Sequence, residues 1–337
     1  MGRPPHPVAG LSATASSWPQ RLAVLWLGLV VLAALLAAAL PLPYPPGVPD
    51  LGHVGQPPFG PAGYAASRHW LGTDPQGRDV LSVLIFGART AVLLTLPAAV
   101  LAALVGALAG GAAGFWGNSL RLAAPYWLAV GGASWWALGL PVPIAGAALA
   151  FGALSVGLVA GWRKQPLLTW PVPLNAVVLG AAATLDTIPR LVLVVALAAG
   201  TGMSAGGLLG LLTLTAWPHP ARLVRAQMLR VRALPFVEAA RAAGVPTGQI
   251  WLRHALPHAL QPLRTALPLS IAGLLGLEST LSFLGIGLAP DVASWGRLLA
   301  TVRDQPSAWW AFAPPFICLS LSILSLNILG QRRGNNP

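Results

Sequence analysis

The chain has 337 residues, 55% of them apolar and 8% charged, with a mean hydropathy of +0.70. An ordinary soluble domain is about a quarter charged and a disordered chain is poorly hydrophobic, so both classes are excluded. A net charge of +12 suits a nucleic-acid binder only in a far less apolar chain; here it reads as arginine held on the cytoplasmic face of a bilayer.

Residues 1–21 form a Pro-, Ser- and Gly-containing cytoplasmic tail. A bilayer span needs roughly 20 mostly apolar residues. Leu22–Leu40 supplies 19 without a charge and is an uncleaved first transmembrane helix or a signal peptide, the run being long for the latter. Residues 41–90 are an outside loop. Its first part, PLPYPPGVPDLGHVGQPPFGP, is too rich in proline for a helix or central strand. From His69 to Thr90 the loop is patterned: Asp74 caps or turns the chain, and Asp79 opens an amphipathic helix feeding the next span. Ala91–Phe115 is that span. Pro125–Trp162 is uncharged for 38 residues, with Pro141 and Pro143 near its middle. This suits two helices, Tyr126–Leu140 and Pro143–Gly161, the first being either a span or a re-entrant segment. Val177–Gly200, interrupted by Asp186 and Arg190, then Gly206–Trp217, Leu267–Leu288 and Trp309–Leu329 complete about eight spans. A short tail, residues 331–337, follows. Cys318 is the single cysteine and lies in an apolar run, so no disulfide framework or cysteine metal cluster is available.

Charge placement supports this order. With the N-terminus in the cytoplasm, 14 Lys and Arg fall inside and 5 outside, Arg190 being ambiguous. The outside arginines, Arg68, Arg78, Arg89, Arg297 and Arg303, are matched by Asp50, Asp74, Asp79, Asp291 and Asp304.

Residues 222–261 are the longest and most charged cytoplasmic stretch. Arg222–Val231 continues a span as a basic helix, and Pro235 turns the chain. Phe236–Ala243 forms a short helix with Glu238 facing Arg241 at i,i+3. Gly244 and Pro246 stop it. Gln249–Ala255 starts a second short helix, which Pro257 ends or kinks. The product is a basic helix–break–helix hairpin whose small side chains admit another protein's backbone, or else a solvated loop acting through charge alone.

The series Glu238-Ala239-Ala240, Gly244 and Leu256-Pro257 resembles the EAA loop of ATP-binding-cassette importer permeases. HALPH, His254–His258, is similar to the form found in the dipeptide, oligopeptide and nickel branch. LGTDPQGRDVLSVLIFGART, Leu71–Thr90, resembles that branch's first outside signature. ESTLSFLGIGL, Glu278–Leu288, with SWGRLLA from Ser294, resembles its fifth-span signature. The three lie in family order and spacing and cover Leu22–Gly117 and Asp186–Gly330. The resemblance implies an all-α polytopic transmembrane bundle of type I, MetI-like architecture in the plasma (inner) membrane, both termini cytoplasmic. It implies that Glu238, Ala239, Ala240, Gly244, Leu256 and Pro257 belong to coupling helices that sit in a cleft of a cytoplasmic ATPase. The implied partners are ATPase subunits, a second and usually different permease subunit, an extracytoplasmic substrate-binding protein and the lipid bilayer, with no nucleic acid. The cargo implied is a peptide or related small solute, moved by alternating access.

Two departures stand out. Residues 118–185 look like an insertion of about two helices, packing on the outside of the bundle or contacting another subunit. The tail LGQRRGNNP also stops short of the family's usual C-terminus, which puts a C-terminal ATPase contact in doubt.

No catalytic constellation is present, so the chain is not read as an enzyme. A phosphate-binding GxxxxGK[ST] loop is missing from the sequence; the glycines of Gly106–Gly117 read as close helix packing. The six histidines are scattered, and Pro257 spoils His254 and His258 as an i,i+4 metal pair, so no metal or cofactor is expected. Glu278 is the residue with an intramembrane cost. It lines a translocation path with Ser282, or ties helices through Ser279, Thr280 or Ser282, or sits wet near the interface. A secondary, ion-coupled transporter is the competing class, but it calls for inverted repeats or several midplane ionisable groups.

Overall fold

Backbone amides and carbonyls facing lipid must find partners within their own segment, so long apolar runs become helices. The computed structural model describes residues 18–58, 69–125, 167–198 and 203–334. In order come α1 Trp18–Leu36, α2 Val80–Trp116, β1 Leu120–Pro125, β2 Leu167–Val172, α3 Leu174–Thr187, α4 Arg190–Ala198, α5 Ala205–Ala216, α6 Pro218–Val231 and α7 Pro235–Ala242. Next, α8 Thr247–Gln249 runs through a π-helical turn, Ile250–Ala255, into α9 Leu256–Ala259. Then come α10 Leu263–Phe283, α11 Trp295–Ala300 with the 3-10 turn Thr301–Arg303, and α12 Trp309–Gly334.

Among the described residues four helices are long and apolar enough to cross a bilayer: α1, α2, α10 and Trp309–Gln331 of α12. The pair α3 and α4, bent by 81°, makes a fifth if it is one span. The break falls at Ile188-Pro189, because a proline pushes the preceding residue out of helical geometry. Of the other expected spans, Tyr126–Leu140 and Pro143–Gly161 lie outside the described residues. Gly206–Trp217 needs correction as an independent span: α5 has only 12 residues. At 1.5 Å per residue it reaches roughly 18 Å, short of a hydrocarbon core of about 30 Å. After Trp217 the chain continues into the basic α6, as expected for that segment.

The all-α class holds with one exception among the described residues. β1 and β2 pair antiparallel, Leu120 opposite Val172 and Pro125 opposite Leu167. The ribbon brackets residues 126–166, inside the segment 118–185 read as inserted. Two paired strands satisfy each other's inner backbone groups, so the chain departs and returns at one place without a helix.

The chain divides into two units: Met1–Ala107 with Thr184–Leu223 and Leu260–Pro337, and Leu108–Ala183 with Val224–Ala259. The first has a buried apolar cluster of Leu94, Ala98, Val194, Leu208, Leu212, Leu274 and Leu281. A second cluster joins Val30 of α1 to Ala91, Ala272, Leu275 and Leu326. Trp26 Nε1 donates to Ser322 Oγ at 3.1 Å, tying α1 to α12. Leu25, Leu29 and Leu32 of α1 and Phe316, Ile317 and Leu324 of α12 are each more than half exposed, whereas Glu278, Ser279 and Ser282 are buried. Leucine outside and serine inside reverses the soluble pattern and suits a lipid surround.

The glycine-rich end of α2 packs as expected. A Cβ on Gly106 would lie 2.7 Å from the Trp217 carbonyl oxygen, within the first unit. In the second unit, a Cβ on Gly114 would lie 2.8 Å from Met228 Cβ. Small residues are what allow such helix contacts in a membrane.

Candidate functional site

The hairpin of α7, α8 and α9 lies in the second unit. Pro235 occupies the first position of α7, where its missing N–H costs nothing and its fixed φ favours the helix. Glu238 in the first turn opposes the positive end of the helix dipole. Termination is a Schellman closure: Gly244 N–H donates to Arg241 O at 3.0 Å and Val245 N–H to Ala240 O at 3.1 Å. Gly244 has φ +76°, the left-handed conformation this closure requires, and nothing lies within 4 Å of where a Cβ would stand. The hairpin was thus legible in outline, with the break at Gly244 and Pro246 where the sequence put it.

Its second arm differs from the expectation. Pro257 does not end the helix; the chain stays helical from Thr247 to Ala259. The π-helical turn absorbs the proline, since Leu256 N–H bonds back five residues to Trp251 O. That register shift arrives where the proline donor is missing, so the ladder loses little. His258 Nδ1 donates to the His254 carbonyl at 2.9 Å, and its ring packs on Phe236 with centroids 5.2 Å apart.

The expected Glu238–Arg241 pair also does not form. The Arg241 guanidinium instead lies over the Phe115 ring, 5.7 Å from its centroid, a cation–π contact. Val237 and Ile250 are fully buried and Leu256 nearly so. Glu238, Ala239, Gly244 and Pro257 are exposed and Ala240 is half-buried. Arg232 donates to Gly114 O at 3.0 Å, and Trp116 packs on Trp251 at 5.1 Å. The hairpin is therefore seated by apolar and arginine contacts on one side, with glutamate, alanine and glycine on the other.

Glu278, in the first unit, is 2% exposed. Its Oε1 accepts from Ser282 Oγ at 2.8 Å and from Ser294 Oγ at 3.0 Å, and its Oε2 from Ser279 Oγ at 3.4 Å. Ser282 is one turn along α10, as its i,i+4 spacing indicates. Ser294 is the partner sequence reasoning missed. It is the N-cap of α11, where its oxygen also accepts from Gly296 N–H at 3.2 Å. The signal available was SWG ahead of an apolar run, a cap motif, but nothing local names the capped helix's neighbour. A Cβ on Gly296 would stand 2.1 Å from Ser279 O, so α11 reaches α10 only with glycine there. Through Glu278 these bonds link α10 to the cap of α11 at a buried position.

Arg297 closes the loop before α11. Its guanidinium donates to the carbonyls of Leu288, Ala289, Pro290 and Val292 at 2.6–3.0 Å. Burial, then the nearby Arg78 charge, pulls its pKa below the usual arginine value, while Asp291 opposes that trend. On the other loop Asp74 is fully buried and pairs with Arg78 at 2.7 Å. Asp74 Oδ1 accepts from the amides of Gln76 and Arg78, both at 2.9 Å, making the expected turn. Asp79 accepts from Ser82 N–H at 2.8 Å, capping α2. Asp186 and Arg222 form an ion pair, both about half exposed.

Residues 153–332 match the family described as binding-protein-dependent transport system inner membrane component. The match starts within 118–185. A peptide transport system permease protein of Brucella suis biovar 1 is 29% identical over 307 residues, covering 90% of this chain and 84% of that protein. A peptidoglycan transport system permease protein of Agrobacterium fabrum is 28% identical over 263 residues, covering 78% of this chain and 55% of that protein. A chain of the MetNI methionine ABC transporter, inward facing, is 17% identical with a TM-score of 0.47, over 74% of this chain and 94% of that one.

Proposed function

The chain belongs to the family of binding-protein-dependent transport system inner membrane components, and from that premise we propose that it couples peptide import to ATP hydrolysis carried out by a separate subunit. It is a multi-pass membrane protein. The cargo class follows the similar proteins, which are named as peptide permeases; a related small solute fits the same reading. The sequence carries no phosphate-binding loop of its own, so the energy enters through a contact.

That contact is the hairpin of α7–α9, with Glu238, Ala239, Ala240 and Gly244 on its bare side and Leu256 and Pro257 in its second arm. The observation that carries the proposal is this division. The seated side makes the hairpin a stiff body, and the bare side is small enough for another backbone to approach. A floppy loop would dissipate the ATPase closure, whereas a seated one passes it to the helices. Two ATPase subunits close on ATP, push the hairpins of this chain and a second permease subunit, and the bundle opens to a binding protein docked outside. This orientation puts both termini in the cytoplasm, in accord with the 14-to-5 charge split.

The test is a single cysteine at one position after another across 235–257 in a Cys318→Ala background, co-expressed with a candidate ATPase subunit carrying single cysteines around its cleft. A crosslink that changes with ATP is expected. A complex that transports peptide but yields no crosslink anywhere in 235–257 overturns the coupling assignment.

A further inference from the structure

Three chain segments meet beside the start of α2. Asp50 and His53 come from the proline-rich stretch, His69 from just before the LGTD sequence, and Asp79 from the cap of α2. Asp50 Oδ2 lies 2.8 Å from His53 Nδ1 and 3.4 Å from His69 Nε2. The other nitrogen of His69, Nδ1, lies 2.9 Å from Asp79 Oδ1. One donor atom each from Asp50, His53 and His69 falls within 4.8 Å of the other two. Tetrahedral ligands about 2.0–2.1 Å from a metal stand roughly 3.3 Å apart, and the 2.8 and 3.4 Å separations at Asp50 Oδ2 lie on either side of that spacing.

The hydrogen bonds around the cluster orient it. Asp79 Oδ2 is used by the Ser82 amide, which points Oδ1 at His69. Asp50 Oδ1 accepts from Gly52 N–H at 3.0 Å, which leaves Oδ2 turned to both imidazoles. Tyr44 stacks on the His69 ring at 3.9 Å and fixes its plane. With Nδ1 turned to Asp79, His69 directs its other ring nitrogen, Nε2, at the Asp50 carboxylate. Among the described residues no lysine or arginine pairs with Asp50 or Asp79, Arg78 being held by Asp74. Two carboxylates and two imidazoles are a donor set suited to a divalent ion.

We propose that Asp50, His53 and His69 bind a divalent first-row transition metal, with Asp79 as the positioning residue that holds His69 in the ligating tautomer. Two imidazoles and one carboxylate select Zn²⁺ or its Ni²⁺, Cu²⁺ and Co²⁺ neighbours over Mg²⁺ and Ca²⁺. A carboxylate behind a ligating histidine is the usual outer support of such sites. His53 and Asp50 are about one-third exposed, so the fourth position is open to water. The metal would clamp the proline-rich stretch to the head of α2. Nothing in this site depends on the coupling proposal.

The test uses the full-length, tag-free protein in detergent, stripped with chelator and titrated with Zn²⁺ by calorimetry, with bound metal counted by mass spectrometry. The expected result is a tight site holding one Zn²⁺ per chain. Unfolding should shift upward by on the order of 5 °C when Zn²⁺ is about 100 times its Kd, and an equal Mg²⁺ concentration should give no shift. His53→Ala, at a position about one-third exposed, should fold normally and lose this site. Asp79→Asn should weaken binding about 10–100-fold, and Asp50→Asn is the second ligand variant should His53→Ala be unstable. His6, His219, His254 and His258 remain in every variant and report weak background binding. The proposal is overturned if wild type and a folded ligand variant bind Zn²⁺ alike. It is equally overturned if the wild type binds none.

Discussion

The hairpin around Gly244 and the knot around Glu278 each contain a glutamate among small residues, and they treat it in opposite ways. Glu278 is buried, and serine hydroxyls from two helices meet its oxygens within 3.4 Å. Glu238 is exposed and pairs with no cation among the described residues, its neighbour Arg241 having turned to Phe115. An acid whose hydrogen bonds are met inside the fold holds helices together. An acid left bare beside two alanines and a left-handed glycine is what the proposed coupling contact requires.

The comparison breaks most sharply at Gly244. Gly244→Asp should abolish ATP-driven peptide uptake while membrane insertion survives, because aspartate tolerates a left-handed backbone and nothing lies within 4 Å of the new Cβ. Glu238→Lys should do the same. Uptake by cells, measured beside the amount of protein in the membrane fraction, checks both; normal uptake by inserted Gly244→Asp protein would remove the coupling role.

At the knot the effect should fall on stability first. Glu278→Ala leaves three buried hydroxyls without their acceptor, and unfolding in detergent should show a loss of about 2–3 kcal/mol. Glu278→Gln keeps an acceptor and should lose less. Gly296→Ala drives a methyl group to within 2.1 Å of Ser279 O, for which about 1–3 kcal/mol is expected from the same unfolding measurement. Trp26→Phe, removing the α1–α12 bond, should cost only about 0.6 kcal/mol. An ordering in which Trp26→Phe outweighs Glu278→Ala would deny the knot its structural role.

Much of the hairpin could be read in advance. Pro235 at a helix start and Gly244 at a helix end act on their own turn of backbone, so their effect travels with the sequence. Pro257 shows the limit of that reasoning. A proline in an isolated helix is a breaker, but here a π-helical turn just before it moves the hydrogen-bond register. At Glu278, Ser282 was legible from its spacing along one helix, whereas Ser294 lies on another element and was found only through packing.

By itself the sequence determined where apolar runs must close their hydrogen bonds as helices, where proline and glycine interrupt them, and which signatures stand in order along the chain. These are local properties, decided within a few residues by backbone geometry and hydrophobicity. The tertiary structure decided which polar groups meet: Ser294 with Glu278, Arg241 with Phe115, Arg297 with four carbonyls, and His69 between Asp50 and Asp79. Each of those encounters joins residues from different turns or segments. It depends on how closely two backbones approach, as Gly296 permits α11 to approach α10, and that distance is a property of the packed molecule.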